Sequence, residues 1–321
     1  MYRQMMTAGL LASVSMLGLA ATAEAQTNNV RNNQNNWAQT RAQLNADINS
    51  VSESVSLTSA AISNSFSAEL GGVTTLNNVQ RADNNASASA YINAHDALGG
   101  LNATVATIGN SASIEVDALG ASGLSTVNND QRAVWNRQFH SHLTIDASDI
   151  QAPDASDVAI DGTVASIANS LSVTGSGNME ATNFQHFHGD VQSFLNADLN
   201  NVTGSVNFTS AAIANSASYD IGDSSQFSLT NTQWANYDPQ AWSNVNVGDI
   251  NGDFSSTTAA ISNSLSVSTL PETASLNINS QQMNNAYTGA TANIQLGDVT
   301  GAVSLTTAAI GNSVSINNLP R

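Results

Sequence analysis

Two His-x-His pairs, His140-Ser-His142 and His186-Phe-His188, are the side chains best suited to metal chemistry in this sequence. On an extended strand residues i and i+2 share a face, so each pair is able to chelate. If both pairs fell at one position of successive repeats, they would stack into a four-imidazole patch. The likeness of Asp149-Ile150 to Asp249-Ile250 argues otherwise: it places the extra residues of that region at Gln151–Asp157, which sets the pairs out of register. Surface imidazoles on a β face are then the plainer reading. Asp146, Asp149, Asp154 and Asp157, with Asp161, form an acidic cluster of the oxygen-rich kind that takes Ca²⁺. No EF-hand loop and no GGxGxD repeat accompanies them, so a solvated loop is the simpler account. Trp37, Trp135, Trp234 and Trp242 suit sugar stacking or capping of a core. No G-x-S-x-G elbow occurs and no catalytic pair recurs, so the expectation is a protein without catalysis and without a cofactor, Ca²⁺ at the acidic cluster being the exception its residues allow.

The elements that must carry these residues are set by one stretch written six times. It reads TTAAIGNSVSI at Thr306–Ile316, with near copies at Thr58–Ala68, Thr104–Ile114, Thr163–Val173, Thr209–Tyr219 and Thr257–Val267. Its Asn falls at Asn64, Asn110, Asn169, Asn215, Asn263 and Asn312, with spacings of 46, 59, 46, 48 and 49 residues. An upstream Gln recurs with it, at Gln34, Gln80, Gln131, Gln185, Gln233 and Gln282. The Gln-to-Asn distance is 30 residues in five copies and 38 in the third, so variation is pushed to the joins. Repetition at this period signals a stacked architecture.

The motif alternates with period 2, as a strand does, and Asn-Ser-x-Ser is poor in a helix interior. Thr, Ala, Ile and Asn fall on one side, which reads as the apolar, inward side. It carries Ile62, Ile108, Ile167, Ile213, Ile261 and Ile310. Just upstream, Val303 and Leu305 alternate out of phase with it, which places a corner between Leu305 and Thr306. The fold expected is all-β: a β-solenoid of the parallel β-helix kind, built from six repeats of about 48 residues. At roughly 20–25 residues per rung, each repeat would make two rungs and the dozen would span roughly 55 Å. The six Asn and the six Ile would stack in internal ladders, the amides bonding rung to rung; the plainer account of the Asn is its tolerance of left-handed turn geometry.

Composition bounds the setting. The chain has no Lys and no Cys, and 7 Arg against 24 acidic residues give a net charge of −17. Nucleic acid is excluded as a partner, because phosphate binding needs clustered cations. Residues 1–25 read as a signal peptide: Arg3, an apolar run over Ala8–Ala23, and Ala23-Glu24-Ala25 before the cleavage point. Residues 26–33 read as a flexible lead-in, and 34–321 as the six-repeat body, with repeats opening near the six Gln. The chain reads as exported, with no span long enough for a bilayer.

Asn/Gln/Ser-rich repeats in an exported chain resemble two kinds of bacterial surface protein. One is the curlin class of functional amyloid subunits, although A-A-I-x-N-S-x-S is not a curlin signature. The other, over Gln34–Leu319, is the holdfast-anchoring proteins of stalked α-proteobacteria, which help tether an adhesive polysaccharide to the cell envelope. That resemblance implies a location at the surface of a Gram-negative bacterium and no catalysis. Its partners would be further copies of the chain, extracellular polysaccharide, and an outer-membrane exporter or anchor. A carbohydrate-binding β-helix, a polysaccharide-degrading β-helix enzyme and an ice-binding solenoid are the alternatives. The last ranks lowest, because the recurring Thr shares the side read as inward.

Overall fold

The computed structural model describes residues 27–318, apart from 119, 121, 122, 153, 155, 156, 225 and 271–274. The expected signal peptide lies outside them. Among the described residues every regular element is a strand, and no helix is long and apolar enough to cross a membrane.

The chain winds in successive turns. The first holds β1 (Asn28–Asn36), β2 (Thr40–Val51) and β3 (Val55–Gly71), and the second β4 (Thr74–Ala82), β5 (Ala86–Leu98) and β6 (Leu101–Asp117). In the third, β7 (Ser125–Gln151) spans the first two runs and β8 (Val158–Ser176) the last. The fourth repeats this with β9 (Met179–Thr203) and β10 (Ser205–Ile221). Then come β11 (Gln226–Ala235), β12 (Pro239–Asn251) and β13 (Phe254–Thr269), and finally β14 (Ser275–Asn284), β15 (Gly289–Val299) and β16 (Val303–Asn317). All pairing is parallel, each strand against its counterpart one turn away. One sheet holds the first and second runs, and the motif strands form the other in the order β16-β13-β10-β8-β6-β3. This is a β-solenoid, flattened into two facing sheets.

Three expectations need correction. A repeat is one rung, not two: Asn64 pairs with Asn110, Asn110 with Asn169, and so on to Asn312. The strands are long, up to 27 residues in β7, so one circuit consumes a whole repeat. Six rungs at about 4.8 Å put the first and last strands about 24 Å apart. Residues 28–36 are not a flexible lead-in but β1, registered residue for residue on β4, with Val30 beside Leu76 and Gln34 beside Gln80. The Gln residues therefore fall near the end of the first run, not at its start.

The third correction concerns the corner. In β6 the buried set is Leu101, Ala103, Val105, Thr107 and Gly109, and then Asn110, Ala112, Ile114 and Val116. The phase flips at Gly109-Asn110, where two consecutive residues face inward, and the same doubling occurs at Ala168-Asn169, Ala214-Asn215 and Ser262-Asn263. A small residue is needed before the Asn. At Gly109 an added Cβ would lie 2.6 Å from the Ala168 carbonyl oxygen and 2.8 Å from the Phe139 ring. Upstream of the bend, therefore, the Thr, Ala and Ile columns stand on the outer face. Ile62 is exposed, and Ile108, Ile167, Ile213, Ile261 and Ile310 are half-buried. The inward placement of Thr, on which an ice-binding face ranked last, does not hold.

The two sheets enclose three apolar clusters. One, between the second runs and the early half of the motif strands, holds Ile92, Leu143, Ile145, Val206 and Phe208. A second, between the first runs and the late half, holds Leu76, Val127, Leu171, Tyr219 and Phe227. Between them, under the corner, Phe139, Phe187 and Val191 meet a bed of alanines that includes Ala168, Ala212, Ala214 and Ala260. Each fully buried Leu, Ile, Val or Phe contributes about 1.5–3 kcal/mol. The alanines let the sheets approach where the large rings of one sheet need room.

Candidate functional site

The bend carries an unbroken amide ladder. Asn64 Nδ2 donates to Asn110 Oδ1, Asn110 to Asn169, Asn169 to Asn215, Asn215 to Asn263 and Asn263 to Asn312, each at 2.8 Å. The second amide proton crosses to the facing sheet: Asn110 to the carbonyl of Arg132 at 3.0 Å and Asn215 to that of Trp234 at 2.9 Å.

Two further ladders run in the facing sheet. Gln80 Nε2 donates to Gln34 Oε1, Gln131 to Gln80, Gln185 to Gln131, Gln233 to Gln185 and Gln282 to Gln233, at 2.7–2.9 Å. Each of these Gln also donates to the carbonyl of the Ser after a motif Asn, as Gln185 does to Ser216 at 2.8 Å. Two residues before the Gln, Asn32, Asn78, Asn129, Asn183 and Asn231 form the third ladder, which ends on Ser280. Sequence reasoning missed this ladder, although an Asn-x-Gln pair recurs in five of the six copies. Buried amides left unpaired would be costly; paired on both sides they lock the register.

The His pairs do not stack on each other. His140 sits beside Gln192 and His142 beside Phe194, whereas His186 sits between Arg132 and Trp234. The extra residues of the third rung are split. Two lie at the corner, where the register shifts between Ala133 and Arg137, and the rest lie between Ile150 and Ile160. Burial lowers the pKa of His140, His142 and His186. For His140 the nearby Asp190 opposes this; for His186 the neighbouring His188 and Arg132 add to it and Asp130 opposes it. His142 Nε2 lies 2.9 Å from Asn196 Nδ2, and His186 Nε2 lies 3.0 Å from Asn236 Nδ2. Both contacts suit a neutral ring that accepts a hydrogen bond.

The Asp residues are spread along the rung. Asp146 lies between Asn93 and Asp198 in an outward column, Asp149 accepts from Asn201 at 2.5 Å, and Asp154 and Asp157 are exposed. Among the described residues no group of three or more His, Asp or Glu side chains is placed to hold a metal ion.

What the fold does bring together is aromatic. The corner between first and second runs carries Trp37, Trp135, His188, Tyr237 and Tyr287 in five of the six rungs. Trp37, Trp135 and Tyr287 are 68%, 75% and 67% exposed. The His188 and Tyr237 rings lie 4.6 Å apart, and the Tyr287 ring folds over Gly289. Trp135 and Asn136 hold positive φ, 75° and 59°. A tryptophan in left-handed backbone with its ring in solvent costs conformational energy and gains little burial.

Aromatic columns flank this edge on both sides. On the first run Phe184 and His186 pack edge-on against Trp234, with the Arg132 guanidinium 4.8 Å from the Phe184 ring centre. On the second run His142 packs at a tilt against Phe194, and Phe194 stacks on Trp242 at 4.5 Å with the two ring planes nearly parallel. The rings of Trp234 and Trp242 are thus engaged by neighbours, while among the described residues Trp37 and Trp135 keep theirs largely exposed. Beyond the second column a shallow furrow is lined by Tyr91, Thr144, Asp146, Asn196, Asp198, Asn244 and Asn246. Rings beside amides and carboxylates on a rigid face offer stacking and hydrogen bonds to a sugar chain.

The family model of holdfast attachment protein D matches residues 118–320, which takes in the third to sixth rungs and most of this aromatic edge. The chain belongs to the holdfast attachment protein D family. The match supports the holdfast resemblance and gives nothing for the curlin-like one. No curated protein and no solved structure matches the chain.

Proposed function

We propose that the protein is a non-enzymatic attachment rod of a bacterial surface, which holds adhesive polysaccharide along its aromatic edge. Family membership supports the attachment role. The observation that carries the binding site is Trp135, three-quarters exposed in a strained backbone, in line with Trp37, Tyr237 and Tyr287. Sugar rings stack on such platforms through their apolar faces, and the neighbouring furrow supplies hydrogen-bond partners. With a net charge of −17 the rod repels polyanions, so the glycan is uncharged or amine-bearing. Copies of the rod associate, and an outer-membrane partner exports or anchors it.

The test is retention of the purified protein on adhesive polysaccharide from holdfast-bearing cells, with a polyuronate as the acidic comparison. Trp135→Gly relieves the positive φ and removes the ring. Retention should fall several-fold while the melting temperature holds or rises. Unchanged retention in Trp135→Gly, or equal retention on the polyuronate, defeats the proposal.

A further inference from the structure

We infer that the sixth rung of one copy docks coaxially on the first rung of the next, so that the rods join head to tail with a single polarity. This deepens the proposed self-association and does not depend on polysaccharide binding. The argument begins with the direction of the ladders. In the Asn ladder each amide donates towards the later rung, so among the described residues Asn312 Nδ2 ends the column as a donor and Asn64 Oδ1 begins it as an acceptor. The Gln ladder runs the other way: among the described residues Gln34 Nε2 has no Gln beneath it and Gln282 Oε1 has none above. Stacking a first rung on a sixth lets Asn312 donate to Asn64 and Gln34 donate to Gln282. Two sixth rungs brought together would instead oppose donor to donor and acceptor to acceptor.

Register gives a second, independent argument. Gln34 to Asn64 and Gln282 to Asn312 are both 30 residues, with Thr40 and Thr288 at the same step between them. A single offset therefore aligns all three runs of the two end rungs. At that offset Val303 lies over Val55, Leu305 over Leu57 and Val314 over Phe66, continuing columns that run through the whole rod. Val303, Leu305, Val314 and Ile316 are 48%, 52%, 48% and 50% exposed.

The edge itself gives a third. Natural edge strands are blunted by charge, proline or a bulge. β16 has no charged residue and no proline, and β14 has none either. Within the described sixth rung Asp298 is the one charged side chain, and Ser50 would face it across the joint. A heterologous contact of this kind does not close on itself and generates a filament.

The experiment uses the cysteine-free background of the full exported chain. Ser65 and Ser313 lie on the outer side of their strands and occupy one column. Within one copy they are five strand spacings, about 24 Å, apart. In the proposed joint they are one spacing apart. Ser65→Cys/Ser313→Cys, treated with a thiol-bridging reagent that spans about 5 Å, should give a ladder of covalent multimers on a denaturing gel. Ser65→Cys mixed with Ser313→Cys should stop at dimers, and Ser65→Cys/Ser304→Cys should give at least tenfold less product. Melting temperatures of the unbridged variants establish that each is folded. The inference is overturned if the aligned pair gives no more multimer than the misaligned pair, or if Ser313→Cys alone cross-links to itself as well as it does to Ser65→Cys. Polysaccharide retention of the same unbridged samples is measured separately, so loss of cross-linking with retention intact sinks the joint alone.

Discussion

The fifth and sixth rungs carry nearly the same motif and live in different surroundings. Leu265 and Val267 are 1% exposed, whereas Val314 and Ile316, one strand further along the same columns, are about half exposed. Asn263 accepts from Asn215 and donates to both Asn312 and the Met283 carbonyl; Asn312 is exposed and accepts from Asn263 alone. In a stacked architecture, burial comes from the neighbouring rung and not from the residue's own type. A side chain that is core in the middle of the rod is interface at its end.

That contrast can be broken by mutation. The largest effect is expected at Asn215, fully buried with a rung on each side. Asn215→Leu leaves Asn263 Oδ1 and the Trp234 carbonyl without their donor and Asn169 Nδ2 without its acceptor. With roughly 1–3 kcal/mol for each buried group left unmade, the loss should be about 3 kcal/mol by urea unfolding. Asn312→Leu removes one partner at an exposed position, so about 1 kcal/mol or less is expected for the separate rod. Equal losses at the two sites would mean that the columns do not share load as described.

A pH dependence should follow the inner rungs, because among the described residues the sixth holds no His. Burial depresses the pKa of His142 and His186 in the folded rod. The unfolded chain therefore takes up the proton first as pH falls. The stability due to the neutral rings is complete above about 6.5, the unperturbed imidazole value, and is lost as pH drops through the folded values. Melting temperature should decline on acidification over that range, and His142→Phe should make the decline shallower. A profile unaltered by that change would remove His142 from the account. The smallest effect is expected outside: Ser266→Ala and Ser315→Ala, both exposed, should each stay within about 0.5 kcal/mol of wild type whatever their rung.

The fold class was legible because six copies with conserved alternation leave few architectures open. The candidate site was much less so. Trp37 and Trp135 were candidate sugar platforms on the same footing as Trp234 and Trp242, but Tyr237 and Tyr287 sit at different distances from their Gln, and nothing in the linear order aligns them. The two-residue insertion at the third corner puts Trp135 on the same edge, a consequence of register that the spacing alone did not reveal. The His pairs look alike in sequence and lie equally far before their motif Asn, yet fall in different columns, because most of the third rung's extra residues follow the first pair, between Ile150 and Ile160.

The sequence by itself determined the period, the strand character of the motif and the acidic charge balance. That each Asn meets the next was decided by the one-rung repeat, since two rungs per repeat would set successive Asn about 10 Å apart. Which side of the motif faces inward was decided only in the folded rod. Period 2 defines two faces and is silent on which one is buried. The choice was made by the opposite sheet, where Phe139 and Phe187 leave space for Gly109, Ala168 and Ala214 but not for Ile108 and its counterparts. The Gln-bearing strands draw the Asn carboxamides inward by presenting carbonyls such as that of Trp234. The chain therefore bends at Asn and turns Thr, Ala and Ile outward.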